Sequence, residues 1–222
     1  MTGFGQSILA MPFLALIAPL RFFVPLVALL DSVFVVWNAA KFRHEGNYRE
    51  ILVLLPTTII GMIFGAAFLL LFPEKPLLLT LGFLITGYGI YYIFRRARTK
   101  PVSRLAALPL GLFAGILSAT FGTGGPVYAI YLAGRIFDKG ELRSTMIILL
   151  LLTTSLRVVI FAVGGLYAGA DIWLWWIMSL PFCFAGVKLG HHLHEKFKSE
   201  TLLIIVYLTL IFAGLMLIAK NL

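Results

Sequence analysis

Charge and cysteine are scarce in this sequence. Only 12% of its 222 residues are charged, about half the share found in ordinary soluble domains. Acidic side chains are the scarcest, with nine Asp and Glu against 18 Lys and Arg. So few charges cannot cover a large apolar interior in water, which excludes a soluble enzyme. The 61% hydrophobic content excludes a disordered chain. The single cysteine, Cys183, excludes a disulfide-held secreted scaffold. Residues 1–20 have neither a basic n-region nor a small-residue cleavage site, so no cleavable signal peptide is expected. Walker A and H-E-x-x-H motifs are missing too, and no Ser stands with a matching His and acid. No enzyme activity and no cofactor are expected.

What is present is apolar length. Mean hydropathy is +1.01, and a bilayer core asks for about 20 apolar residues of helix. Six runs meet that ruler: 22–40, 51–72, 77–94, 144–164, 172–190 and 201–219. Two regions do not. Residues 105–137 are apolar for too long to be one upright helix, and Gly122-Thr123-Gly124-Gly125-Pro126 interrupts them. Gly and Pro inside a helix cost about 1 and 3 kcal/mol relative to Ala. The N-terminal run 7–17 is too short to span and follows Gly3-Phe4-Gly5.

These two regions resemble each other. Gly3-Phe4-Gly5-Gln6-Ser7 lies over Gly122-Thr123-Gly124-Gly125-Pro126 at an offset of 119. Downstream, Pro56, Gly61, Gly65 and Gly89 fall on Pro181, Gly186, Gly190 and Gly214 at an offset of 125. The chain therefore reads as two units, 1–98 and 99–222, within one membrane domain. Each is a Gly-rich break followed by three spans. The first unit has no counterpart to the limb 105–121. It is either naturally shortened or begins downstream of the true start.

The net charge of +9 arises between apolar runs, so it points to the positive-inside rule rather than to nucleic acid. If 105–137 crosses once, the Lys and Arg divide nine to eight and no bias remains. If it enters, breaks and returns, one side holds Lys41, Arg43, Arg49, Arg95, Arg96, Arg98, Lys100, Arg104, Arg135, Lys139, Arg143, Lys188, Lys196 and Lys198. The other side holds only Arg21, Lys75 and Lys220, and Arg157 alone stays inside a span. The second arrangement obeys the rule, gives each unit an odd number of crossings and so inverts one unit relative to the other. The expected fold is an all-α integral membrane protein of two inverted repeats. Each is a Gly-broken re-entrant hairpin plus three transmembrane helices, and the first hairpin is incomplete. Both termini are expected outside the cytoplasm. Trp173, Trp175 and Trp176 mark an outer interface, and Tyr91 and Tyr92 an inner one.

Inverted repeats with broken helices are a signature of secondary transporters. Non-helical backbone at membrane depth needs a protein-lined or wet cavity. The exposed N–H groups and dipole of the next half-helix favour an anion there. Gly122, Thr123, Gly124, Gly125 and Pro126 open one half-helix; Gly3, Gly5, Gln6 and Ser7 open the other. Two such starts meeting near the midplane form one candidate substrate site. Arg157 adds a fixed positive charge, and placing it in a span costs about 2.5–3.5 kcal/mol. Asp31, mid-span, is a candidate for proton coupling or a partner for Arg157. Thr153, Thr154 and Ser155 are candidates for lining the same path. His191, His192 and His194 lack a second ligand group and read as an interfacial basic loop, so no metal site is expected. Gly61-x-x-x-Gly65, Gly111-x-x-x-Gly115 and Gly186-x-x-x-Gly190 read as helix-packing faces.

The stretch Gly111-Leu112-Phe113-Ala114-Gly115-Ile116-Leu117-Ser118, followed by Gly122–Pro126, resembles the second repeat of the TauE/SafE sulfite exporter family. Its first-repeat counterpart runs from Gly3 to Pro12, and the loop Lys41-Phe42-Arg43-His44-Glu45-Gly46 is similar as well. The resemblance covers nearly the whole chain. It implies export or uptake of a small sulfur-containing anion such as sulfite, sulfoacetate or thiosulfate across the cell membrane. Two departures stand out: Gln6 replaces the glycine of the second motif, and the first limb of the N-terminal hairpin is absent. The partners implied are the anion, the lipid bilayer and a coupling proton or cation, with a homo-oligomer left open. An anion channel and a non-transporting membrane subunit are the rival readings.

Overall fold

The computed structural model of the protein describes residues 5–42, 46–94, 101–196 and 199–222. Among these the chain is all-α. Its helices are α1 (Gly5–Ile17), α2 (Leu20–Phe42), α3 (Tyr48–Leu71), α4 (Glu74–Phe94), α5 (Ala107–Phe121), α6 (Gly125–Ala133), α7 (Lys139–Val163), α8 (Ala170–Lys196) and α9 (Ser199–Asn221). A short 3-10 turn, Arg104–Ala106, precedes α5.

Every run read as a span is one of these helices, but several helices begin earlier than the apolar ruler says. The reason is capping. Asn47 accepts the Glu50 N–H and starts α3, and Asp138 accepts the Glu141 N–H at 2.7 Å and starts α7. Such first turns are polar and escape a hydropathy count.

Among the described residues, six helical stretches are long and apolar enough to cross a membrane: Leu20–Trp37, Tyr48–Leu71, Arg104–Phe121, Lys139–Val163, Ala170–Gly190 and Ile204–Asn221. The third is the first limb of the expected hairpin, and its 18 residues make about 27 Å of helix at 1.5 Å per residue. α1, with 13 residues, stays short of a span.

Hydrogen bonds between helix ends sort the elements onto two faces. At the far face, Arg21 at the start of α2 donates to the carbonyls of Leu69 and Phe72 at the end of α3. There too Glu74 of α4 accepts the Leu20 N–H, Lys75 reaches Leu222, and Lys220 of α9 donates to Leu16 of α1 at 2.7 Å. Arg21, Lys75 and Lys220 are the three cations that the charge distribution set apart. At the near face, Asn47 bonds Thr145 and Glu141 of α7, while Glu50 of α3 takes Arg104 and Arg135. Val102 N–H donates to the Gly134 carbonyl at 3.0 Å, and Arg135 Nη1 to the Val102 carbonyl at 3.2 Å. The segment between them therefore leaves and returns at one face.

The outward limb of that hairpin, α5, is meshed into α3. Gly61 and Gly65 sit against the backbone at Leu112 and Ile116, and Gly111 and Gly115 sit against Thr57 and Thr58. Without a hydrophobic drive between helices in lipid, such close backbone approach supplies the packing. α4 and α9 repeat the device where Gly82 meets Gly214. Gly186 and Gly190 depart from expectation: a methyl on either meets nothing within 4 Å, so this face of α8 packs no described helix. The contrast is testable by thermal unfolding in detergent. Gly61→Ala should cost about 1–3 kcal/mol by overpacking. Gly186→Ala should cost nothing, because Ala is the better helix former by about 1 kcal/mol. Equal melting temperatures would show that the α3–α5 seam is not tight.

α8 also runs through His191, His192 and His194 to Lys196, so these residues are helical rather than a loop; their side chains lie outside the described ones. Trp173 and Trp175 are exposed in its first turns, as an interface position asks.

Candidate anion site

α5 ends because Gly122 takes a left-handed backbone, φ 71°. Gly122 N–H then donates to the Ser118 carbonyl, the 5→1 bond of an αL cap, and Thr123 N–H to that of Leu117. α6 starts at once, with Gly124 as its cap and Pro126 in its first turn. The chain turns back so closely that a Cβ on Gly124 would lie 2.6 Å from the Ala114 carbonyl oxygen. Only glycine fits there.

Across from this turn stands α7. Thr153, Thr154 and Arg157 recur at helical spacing and are all buried, which gives α7 one polar stripe facing inward. Arg157 is 3% exposed. Its Nη2 donates to Asp31 Oδ2 of α2 at 3.0 Å, and its Nη1 to the Ser118 carbonyl at 3.0 Å. The guanidinium thus caps the negative end of α5 and pairs with a buried carboxylate. Burial makes the pair mutually dependent, since removing one partner of a buried ion pair costs about 3–5 kcal/mol.

Asp31, Ser118, Gly122, Gly124, Gly125, Tyr128, Thr154 and Arg157, with Val35 and Leu150, enclose a cavity of about 30 Å³. Arg157 Nε is buried in its wall without a hydrogen-bond partner, while the buried Tyr128 hydroxyl lies beside Thr58 and Ser118. Orphaned buried donors are rare and call for a guest that accepts hydrogen bonds. The volume suits a water-sized guest. An oxyanion of four heavy atoms requires the walls to part.

Of the residues singled out from the sequence, Gly122, Gly124, Gly125, Arg157 and Asp31 come together here, with Thr154 beside them. Thr123 and Pro126 do not. They line an apolar groove of about 600 Å³ on the other side of the turn, with Leu81 and Tyr88 of α4 and Phe113 of α5. Gly5, Gln6 and Ser7 form the first turn of α1, while Gly3 and these side chains lie outside the described residues. Tyr128 was missed, although its place four residues after Gly124 puts it one turn above the break. The Ser118 contribution was not legible, because only its backbone carbonyl is used.

Comparison with known proteins agrees with this architecture. Residues 1–217 match the family model described as "Sulfite exporter TauE/SafE". The chain is 26% identical over 193 residues to a protein of Comamonas testosteroni named "Probable inner membrane transporter protein TsaS", covering 86% of this chain and 80% of that one. No solved structure matches.

Proposed function

Because the chain belongs to the TauE/SafE sulfite exporter family and is a multi-pass membrane transporter, we propose that it is a secondary transporter of a small sulfur-containing or organic anion. Sulfite, thiosulfate and sulfoacetate are of the right type. The inner-membrane name of the Comamonas relative supports placing it in the cytoplasmic membrane.

One observation carries this reading. A buried arginine with an unpartnered Nε and the N-terminus of α6 share one small cavity at a helix break. Donors and a dipole end of this sort stabilise an oxyanion, and arginine matches its geometry with two parallel bonds. The small cavity favours alternating access over an open channel. The order of elements supports two inverted units, 1–98 and 99–222. Short α1 precedes α2, α3 and α4 and ends at the far face; short α6 precedes α7, α8 and α9 and ends at the near face. Gly5, Gln6 and Ser7 open α1 as the second contributor to the site, and the units rock about it. Asp31 couples the cycle, because the anion and Asp31 compete for one guanidinium.

The test is a ligand-stability screen on purified protein in detergent. Sulfite, thiosulfate, sulfoacetate and sulfate are compared with taurine, acetate and chloride. Binding to the folded state at about 100 times Kd adds about 2.7 kcal/mol. The expected result is a selective rise in melting temperature with one sulfur anion, lost in Arg157→Ala. No rise with any anion would remove the site.

A further inference from the structure

Glu50 lies in the first turn of α3 and is only 3% exposed. A carboxylate buried that far needs partners, and it has three. Its Oε1 accepts from Arg104 Nε and Nη2 at 3.2 and 3.0 Å and from Arg135 Nε and Nη2 at 3.4 and 3.0 Å. Its Oε2 accepts from the Tyr131 hydroxyl at 2.7 Å. One buried carboxylate thereby ties the mouth of α5 and the end of α6 to α3.

The two limbs it holds are not held equally. α5 is meshed along its length into α3 by the glycine seam. α6 has nine residues, starts at Gly125 in the cavity wall and carries Tyr131 in its last turn. It is the shorter limb of the cavity wall, and Glu50 joins the bonds of Val102 to Gly134 and Arg135 in holding its end. The guanidiniums on Glu50 are not sealed, since the side chains of Arg104 and Arg135 are 39% and 27% exposed. Two positive charges share one negative charge, leaving the cluster at net +1.

We propose that Glu50, Arg104, Arg135 and Tyr131 form the near-face gate of the anion site, and that an arriving anion opens it by competing with Glu50 for the two guanidiniums. The proposal rests on the transporter reading above. An oxyanion approaching from the near face meets Arg104 and Arg135 before the deeper cavity, and guanidinium binds it with paired hydrogen bonds. Each bond given to the anion is taken from Glu50. With the hold on Arg135 weakened, α6 swings, its N-terminal turn retreats from Arg157, and the cavity widens enough for the anion. Glu50 acts here as a positioning residue, through α6, and does not touch the transported anion.

The experiment measures access to the cavity. Leu150→Cys, made in a Cys183→Ala background, puts a reporter thiol in the cavity wall on the near side of Arg157. Oriented vesicles receive a membrane-impermeant thiol reagent on one face at a time. Glu50→Gln should speed near-face labelling about tenfold or more, as loss of one charge-assisted hydrogen bond would. Tyr131→Phe should give a smaller rise, and it carries the test if Glu50→Gln does not fold. The exchange Glu50→Arg with Arg135→Glu should restore slow labelling. Thiosulfate should speed labelling of the parent and leave Glu50→Gln unchanged. Unchanged labelling in a folded Glu50→Gln, or equal acceleration from both faces, would overturn the gate, the latter because it reports general loosening. No effect of thiosulfate on the parent would overturn opening by competition. Labelling does not depend on flux, so normal transport in Arg157→Ala would sink the site while leaving this result to stand or fall alone.

Discussion

Arg157→Ala is expected to abolish anion transport in proteoliposomes, a fall of about 10²-fold or more. That is the size expected when a preorganised donor is removed from a low-dielectric site. The variant is also less stable, because it removes one partner of a buried ion pair at a cost of about 3–5 kcal/mol. Stability and function separate in the double variant Arg157→Met with Asp31→Leu. Replacing a buried ion pair by apolar residues is often neutral or stabilising by about 1–4 kcal/mol. The double variant should therefore melt near the parent temperature and still fail to transport. Arg157→Lys should also fail, since an ammonium keeps the charge but cannot reach both Asp31 and the Ser118 carbonyl with a planar fork. Normal flux in the stable double variant would mean that Arg157 serves the fold alone.

Asp31→Asn is expected to remove the pH dependence of anion binding. In the parent, the charged carboxylate holds Arg157 Nη2 at 3.0 Å, and an anion must displace it. On the coupling proposed above, a proton on Asp31 would remove that competition, and anion affinity would rise as pH falls. Asparagine fixes the uncharged condition, and affinity becomes high and flat across pH. Thiosulfate is the suitable probe because its own charge does not change in the working range. Titration calorimetry between pH 5 and 8 reads the difference, and proteoliposomes loaded with a pH dye read the coupling. Parent and Asp31→Asn curves of the same slope would remove Asp31 from coupling.

The helices and the break between α5 and α6 are legible because their causes are local. A hydropathy run, a polar cap such as Asn47 or a Gly-Thr-Gly-Gly-Pro string lies within a few neighbouring residues. The pairing of Arg157 with Asp31 is legible for a different reason. Few charges stand deep within the apolar runs, and burial leaves an ion little choice of partner. The Glu50 cluster escaped notice because its members are ordinary loop-end charges in sequence. Glu50 and Arg135 are 85 residues apart, and nothing in either local pattern names the other. Likewise the three Gly-x-x-x-Gly motifs read alike, yet two mesh with each other and the third packs no described helix.

Membrane residence, the existence of the long helices and the place of the Gly-rich break all follow from the chain itself. Lipid imposes a length, demands satisfied backbone groups and sorts cations, and each of those constraints acts on a short stretch of residues. Which walls close the cavity was decided only by packing in three dimensions, as was the orphaning of Arg157 Nε. So was the fastening of α6 by a carboxylate on α3. Those arrangements depend on contacts between helices far apart in the chain. Their energies come from close approach and desolvation, which composition and spacing do not encode.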